Sequence, residues 1–84
     1  MPTHLKLLIS VLTEFKEIED TIDRFNRAID IIEWISHDER VRELVSDGSL
    51  NYAKQEVMSS SPEYCSSTIF EDRLMPDIQN VYIV

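Results

Sequence analysis

The chain has 84 residues, a formal net charge of −8 and a hydrophobic content of 43%. That length allows at most one domain, and a domain this small buries too little surface to be more than marginally stable alone. Cys65 is the single cysteine, which excludes an intrachain disulfide and disfavours a structural zinc site; the acidity opposes binding to phosphate backbones and anionic membranes.

Helix packing and oligomerisation remain as sources of extra stability. The hydrophobic content is ordinary for a folded chain, so wholesale disorder is not expected. No stretch reaches the roughly 18 apolar residues of a membrane span. Leu7 to Leu12 follows Lys6, but it is short, lacks a small-residue cleavage site and runs into Thr13-Glu14-Phe15-Lys16-Glu17. It reads as the start of a helix, not as a signal peptide. A lone cysteine fits a reducing compartment, so the expected location is cytoplasmic.

Residues 3–35 contain no Gly and no Pro. Apolar residues recur at Leu8, Val11, Phe15, Ile18, Ile22, Phe25, Ile29 and Ile32, in steps that alternate three and four. This spacing predicts one long amphipathic helix over 3–35. The opposite face holds Asp20, Asp23, Arg24, Arg27 and Asp30. Asp20 with Arg24, and Asp23 with Arg27, have the acid-first order that favours an i,i+4 ion pair. Leu5, Leu7, Ile9 and Leu12 widen the stripe at its start, and Ile31, Trp34 and Ile35 at its end.

Ser36-His37-Asp38-Glu39 has the spacing of a capping box, a hydroxyl and a carboxylate three residues apart. It predicts a second helix over 37–47, presenting Val41, Leu44 and Val45 and stopping at Asp47-Gly48. Gly48, the only glycine, suits a left-handed C-terminal cap. Ser49 is the expected cap of a third helix over 49–58, with Leu50, Ala53, Val57 and Met58 on one side. Residues 59–84 are read as loop, short helix and tail. Ser59-Ser60-Ser61-Pro62 marks the loop, and Pro62 after Ser61 favours a short helical start. Ile69-Phe70 and Leu74-Met75 are apolar islands. Met75-Pro76-Asp77 breaks a helix, and Val81-Tyr82-Ile83-Val84 favours β structure. The predicted fold, for the whole of 1–84, is a mainly all-α bundle with an irregular or short β C-terminal segment.

A helix of about 33 residues would be roughly 50 Å long, whereas a compact body of this size is near 30 Å across. Such a rod either bends or breaks, or something else covers it. Left bare, each of the eight stripe residues would forfeit about 1.5–3 kcal/mol. Phe occurs in both heptad sets and Leu is absent from the second, which argues against a simple two-stranded zipper. The expectation is a bundle completed by a homodimer in preference to fold-back by residues 37–84 alone.

The residues offer little for catalysis. Glu33 and His37 are four apart, but no second His lies nearby to complete a metal site. Cys65 has His4 and His37 as conceivable bases, yet it follows Glu63 in an acidic chain, where a thiolate is disfavoured. One glycine cannot build a Gly-x-Ser-x-Gly elbow or a phosphate loop. No cofactor and no enzymatic activity are expected.

The leading expectation is a non-catalytic protein-interaction module, a small regulator, inhibitor or adaptor, acting through Leu8, Val11, Phe15, Ile18, Ile22, Phe25, Ile29 and Ile32. Trp34 is added as an aromatic anchor or, alternatively, a residue covered by the second helix. The expected partner is another protein, without direct contact to nucleic acid. The alternative is an acidic nucleic-acid mimic that blocks a DNA- or RNA-binding protein. The C-terminal Tyr82-Ile83-Val84 could add to a partner's sheet edge.

Overall fold

The apolar stripe of the first half runs through two helices, not one. In the computed structural model, which describes residues 3–70 and residue 74, α1 spans Thr3–Lys16 and α2 spans Thr21–His37. The single helix predicted over 3–35 is therefore interrupted at residues 17–20. Two local causes act there. The last turn of α1 tightens: the Glu17 N–H donates to the Glu14 carbonyl at 3.0 Å and the Ile18 N–H to the Phe15 carbonyl at 3.2 Å, three-residue closures that end a helix. Asp20 then turns extended, with φ −75° and ψ 125°, and its Oδ2 accepts the Asp23 N–H at 2.9 Å. An aspartate in this role starts a new helix. The 3–4 spacing continues across the gap because the gap is four residues long, about one helical turn.

The second correction concerns the caps. Ser36 caps nothing; its hydroxyl donates back to the Ile32 carbonyl at 2.7 Å, inside α2. Asp38 does both jobs at the junction. Its N–H donates to the Trp34 carbonyl at 3.0 Å, closing α2, and its Oδ1 accepts the Arg40 N–H at 3.1 Å, opening α3. The second helix is short: α3 covers only Glu39–Arg42.

The third helix begins earlier than 49. Helix α4 spans Asp47–Ser59, and Ser46, not Ser49, is its cap, accepting the Ser49 N–H at 3.2 Å. Gly48 sits in the first turn of α4, and no described residue has a positive φ. It is no C-terminal cap. Arg42 pairs with Asp47 across the turn that joins α3 to α4. A single 3-10 turn follows at Pro62–Tyr64, with Ser61 before it and Pro62 at its first position, as the Ser-Pro-Glu pattern predicts. Among the described residues there are four bounded α-helices, Ile69, Phe70 and Leu74 are also helical, and there is no strand. The helix break at Met75-Pro76-Asp77 and the β-favouring Val81-Tyr82-Ile83-Val84 lie outside the described residues.

The core is assembled from all four helices and the chain after the 3-10 turn. Leu5, Leu8, Leu12 and Phe15 come from α1, and Ala28, Ile31, Ile32 and Ile35 from α2. Val41 and Val45 add the α3 turn; Leu50, Ala53 and Val57 add α4; Cys65, Ile69, Phe70 and Leu74 close the far side. Phe15 and Phe70 meet edge to face, with ring centroids 4.9 Å apart and planes at 72°, the geometry that their ring quadrupoles favour. The radius of gyration is 12.1 Å and the longest dimension 35 Å. A rod of about 50 Å would overrun that body, whereas a 17-residue helix, about 26 Å long, fits within it.

A Cβ built on Gly48 meets nothing within 4 Å. Gly48→Ala is therefore expected to stabilise the fold by about 0.5 kcal/mol, because alanine loses less backbone entropy in a helix. Urea unfolding measures this. A loss of stability would restore the left-handed cap and contradict the placement of Gly48 inside α4.

Candidate functional site

The break divides the predicted stripe into three environments. Leu8, Phe15 and Ile32 are buried in the protein's own core. Val11, Ile18, Phe25 and Ile29 are half-buried against it. Ile22 is 52% exposed. The stripe therefore does not form one face. The inward face of α1 is Leu5-Leu8-Leu12-Phe15, and that of α2 is centred on Ala28, Ile31 and Ile35. On α2 the residues Ile22, Phe25, Ile29 and Ile32 fall on a shoulder next to that inward face, at successive steps of three and four.

Helix α4 supplies the other wall of this shoulder. Ile29 and Ile32 of α2 share a groove of about 290 Å³ with Val57 and Met58 of α4. Glu33, Ser36 and His37 stand on the α2 side and Lys54 on the α4 side. Met58 is 67% exposed. The reason is its position in α4: Leu50, Ala53 and Val57 follow the core spacing, and Met58, one residue on, points about 100° away from it. Sequence reasoning placed Met58 with the core side of its helix and missed it as a surface residue. The signal was present, since an apolar residue adjacent to a stripe, and not on it, faces outward.

Arg24 holds the frame behind this groove. Expected to pair with Asp20, its guanidinium instead turns inward. Nε and Nη2 donate to the Ile18 carbonyl at 3.2 and 2.6 Å, and Nη1 donates to the Cys65 carbonyl at 2.8 Å. One planar fork thus joins the α1–α2 break, α2 itself and the chain that returns from α4. It also satisfies a carbonyl that the end of α1 leaves without a helical donor.

Trp34 is half-buried and packs against the core. It borders a shallow surface depression with His37, Asp38, Glu39 and Arg40, at the α2–α3 corner. His37 borders both this depression and the groove, so Trp34 and Met58 flank the end of α2 on different sides.

Cys65 is 2% exposed. Burial raises its pKa above 9.0, and the positive charge of Arg24 lowers it only in part. A thiol kept protonated is a poor nucleophile. Among the described residues no three His, Cys, Asp or Glu side chains converge as a metal site, and no helix is long and apolar enough to cross a membrane. No protein-family model, curated protein or solved structure matches this chain.

Two expected outcomes follow from these contacts. Arg24→Ala should lower stability by about 2–3 kcal/mol, the magnitude of lost hydrogen bonds from a charged donor. Arg24→Lys should recover only part of it, because an ammonium cannot fork. Equal urea midpoints for wild type and Arg24→Ala would show the clamp to be idle. Separately, the native thiol pKa lies above its unfolded value. The stability due to a protonated Cys65 is then complete below about pH 9 and is lost as pH rises through the native pKa. Cys65→Ala should remove this alkaline component from a pH series of unfolding curves.

Proposed function

We propose that this protein is a non-catalytic interaction module that receives an apolar helix of another protein on the shoulder formed by α2 and α4. The observation that carries the reading is the run of half-buried and exposed apolar side chains, Ile22, Phe25 and Ile29, continuing into the open groove at Met58. Its anchors have the spacing by which one helix face reads another. From Ile22 to Ser36 the shoulder is about 21 Å long, enough for roughly four turns of a docked helix. The groove is partly open and continuous with that apolar run, which suits the side chains of a partner helix. Cys65, the nucleophile with the greatest intrinsic reactivity in the chain, is buried and held protonated, which favours a binding role over a catalytic one.

Self-association is one form of this reading. No over-long rod calls for it, because α2 has 17 residues. What remains is a small apolar shoulder, and such patches mark contact sites when they are contiguous.

The test uses isotope-labelled protein and synthetic amphipathic helices with a leucine face. Chemical-shift changes are expected at Ile29, Ile32, Val57 and Met58. Ile22→Asp should weaken binding about fivefold, since it removes roughly half of an isoleucine's burial, while leaving the fold intact at an exposed site in the first turn of α2. If no such peptide binds tighter than about 1 mM and sedimentation shows only monomer, the interaction reading fails.

A further inference from the structure

We infer that the occupant of the α2–α4 shoulder is a helix with basic residues along one flank, contributed by a different protein and not by a second copy of this chain. This rests on the reading of that shoulder as the docking surface and adds the chemistry of the partner.

The argument is one of charge around the apolar run. Going outward from Ile22, Phe25 and Ile29 around α2, the next positions are Glu33, Asn26 and His37, then Asp30 and Asp23. All five are exposed. A depression on that outer flank is lined by Ile18, Asp23, Asn26, Arg27 and Asp30, so the acids border the surface that a docked helix would overhang. Helix α2 holds two arginines. Arg24 is turned inward to the Ile18 and Cys65 carbonyls, and Arg27 lies four residues after Asp23 and three before Asp30, within reach of both. The α2 lip therefore carries Asp23, Asp30 and Glu33 against one outward arginine, an excess of negative charge. The opposite lip carries Lys54, so the two sides of the groove differ and the acidic side is that of α2.

A second copy fits this surface poorly. A two-fold interface sets a patch against itself. Even with the lips exchanged between copies, each acidic lip would find only Lys54 opposite it, in a chain whose net charge is −8. A basic flank on a separate helix instead pairs with Asp30 and Glu33 while its apolar face enters between Ile29 and Met58. Charge of this kind selects the partner and its orientation and speeds the encounter.

The experiment compares two synthetic helices with the same leucine face, one flanked by lysines and one by glutamates, against wild type and an Asp30→Lys, Glu33→Lys double variant. Both positions are exposed, so circular dichroism should show the fold unchanged. The lysine-flanked peptide should bind wild type about fivefold or more tightly than the glutamate-flanked one, and the preference should reverse in the double variant. A Glu39→Lys, Glu43→Lys variant makes the same change in net charge away from the groove. It should leave the preference in place, which separates local pairing from general attraction. Ile22→Asp adds negative charge yet should weaken the lysine-flanked peptide, which separates docking from adsorption. Equal binding of the two peptides at the groove overturns the charge inference and leaves the interaction reading standing. So does a dimer in sedimentation that Ile22→Asp dissociates. Absence of binding by both peptides, with a monomeric protein, overturns both.

Discussion

The structure depends on the clamp that Arg24 places over the break between α1 and α2. Residues 17–20 leave the helical path and expose carbonyls that α1 can no longer satisfy. The guanidinium accepts this position because its planar fork reaches the Ile18 carbonyl with two N–H groups and the Cys65 carbonyl with a third. The break, the second helix and the returning chain are thereby tied at one point. Every later feature inherits its geometry. The redirected α2 turns Ala28, Ile31 and Ile35 inward, α1 lays Leu5, Leu8, Leu12 and Phe15 against the remainder, and Phe70 arrives beside Phe15.

The break also resolves a conflict between chain length and body size. A continuous helix would extend past a body whose longest dimension is 35 Å, leaving apolar side chains in water. Two shorter helices can both pack on the body, which buries Leu8, Phe15 and Ile32 and half-buries Val11, Ile18, Phe25 and Ile29. The covering is incomplete on one shoulder of α2. There Ile22 of α2 is 52% exposed and Met58 of α4, one residue past the buried Val57, is 67% exposed. The open groove is thus the residue of a packing compromise: the same turn that buries Leu8, Phe15 and Ile32 leaves Ile22 in solvent.

Much of the local structure was legible from the chain. The helical character of 3–35, the short helical start after Ser61-Pro62, and the apolar faces of the helices follow from spacing and from residue type. The junctions were legible less well. Asp20, Asp38 and Ser46 cap the helices, whereas Ser36 and Ser49 have equally good capping side chains and do not. A cap is a local competition among nearby Ser and Asp residues, and its outcome depends on which backbone path lets the adjoining apolar face reach the core. Gly48 shows the same limit. Its freedom to adopt a left-handed conformation suited a helix end, yet the chain spends it on an ordinary first turn. Of the candidate site, Ile22 and Ile29 were named from the sequence, and Met58 was not, because its exposure depends on which face of α4 the core selects.

Composition and spacing by themselves determined a small acidic helical chain, with its apolar residues in helical register and no disulfide available. They did so because these properties are local: a helix face is written in steps of three and four, and a charge total needs no coordinates. Only the tertiary structure decided where that register is interrupted and which half of it is covered. An interruption of one turn's length leaves the spacing unchanged, so periodicity cannot reveal it. Burial is a relation between segments distant in the chain, here between α2 and the Val57–Met58 turn of α4, and is fixed only when the whole chain packs.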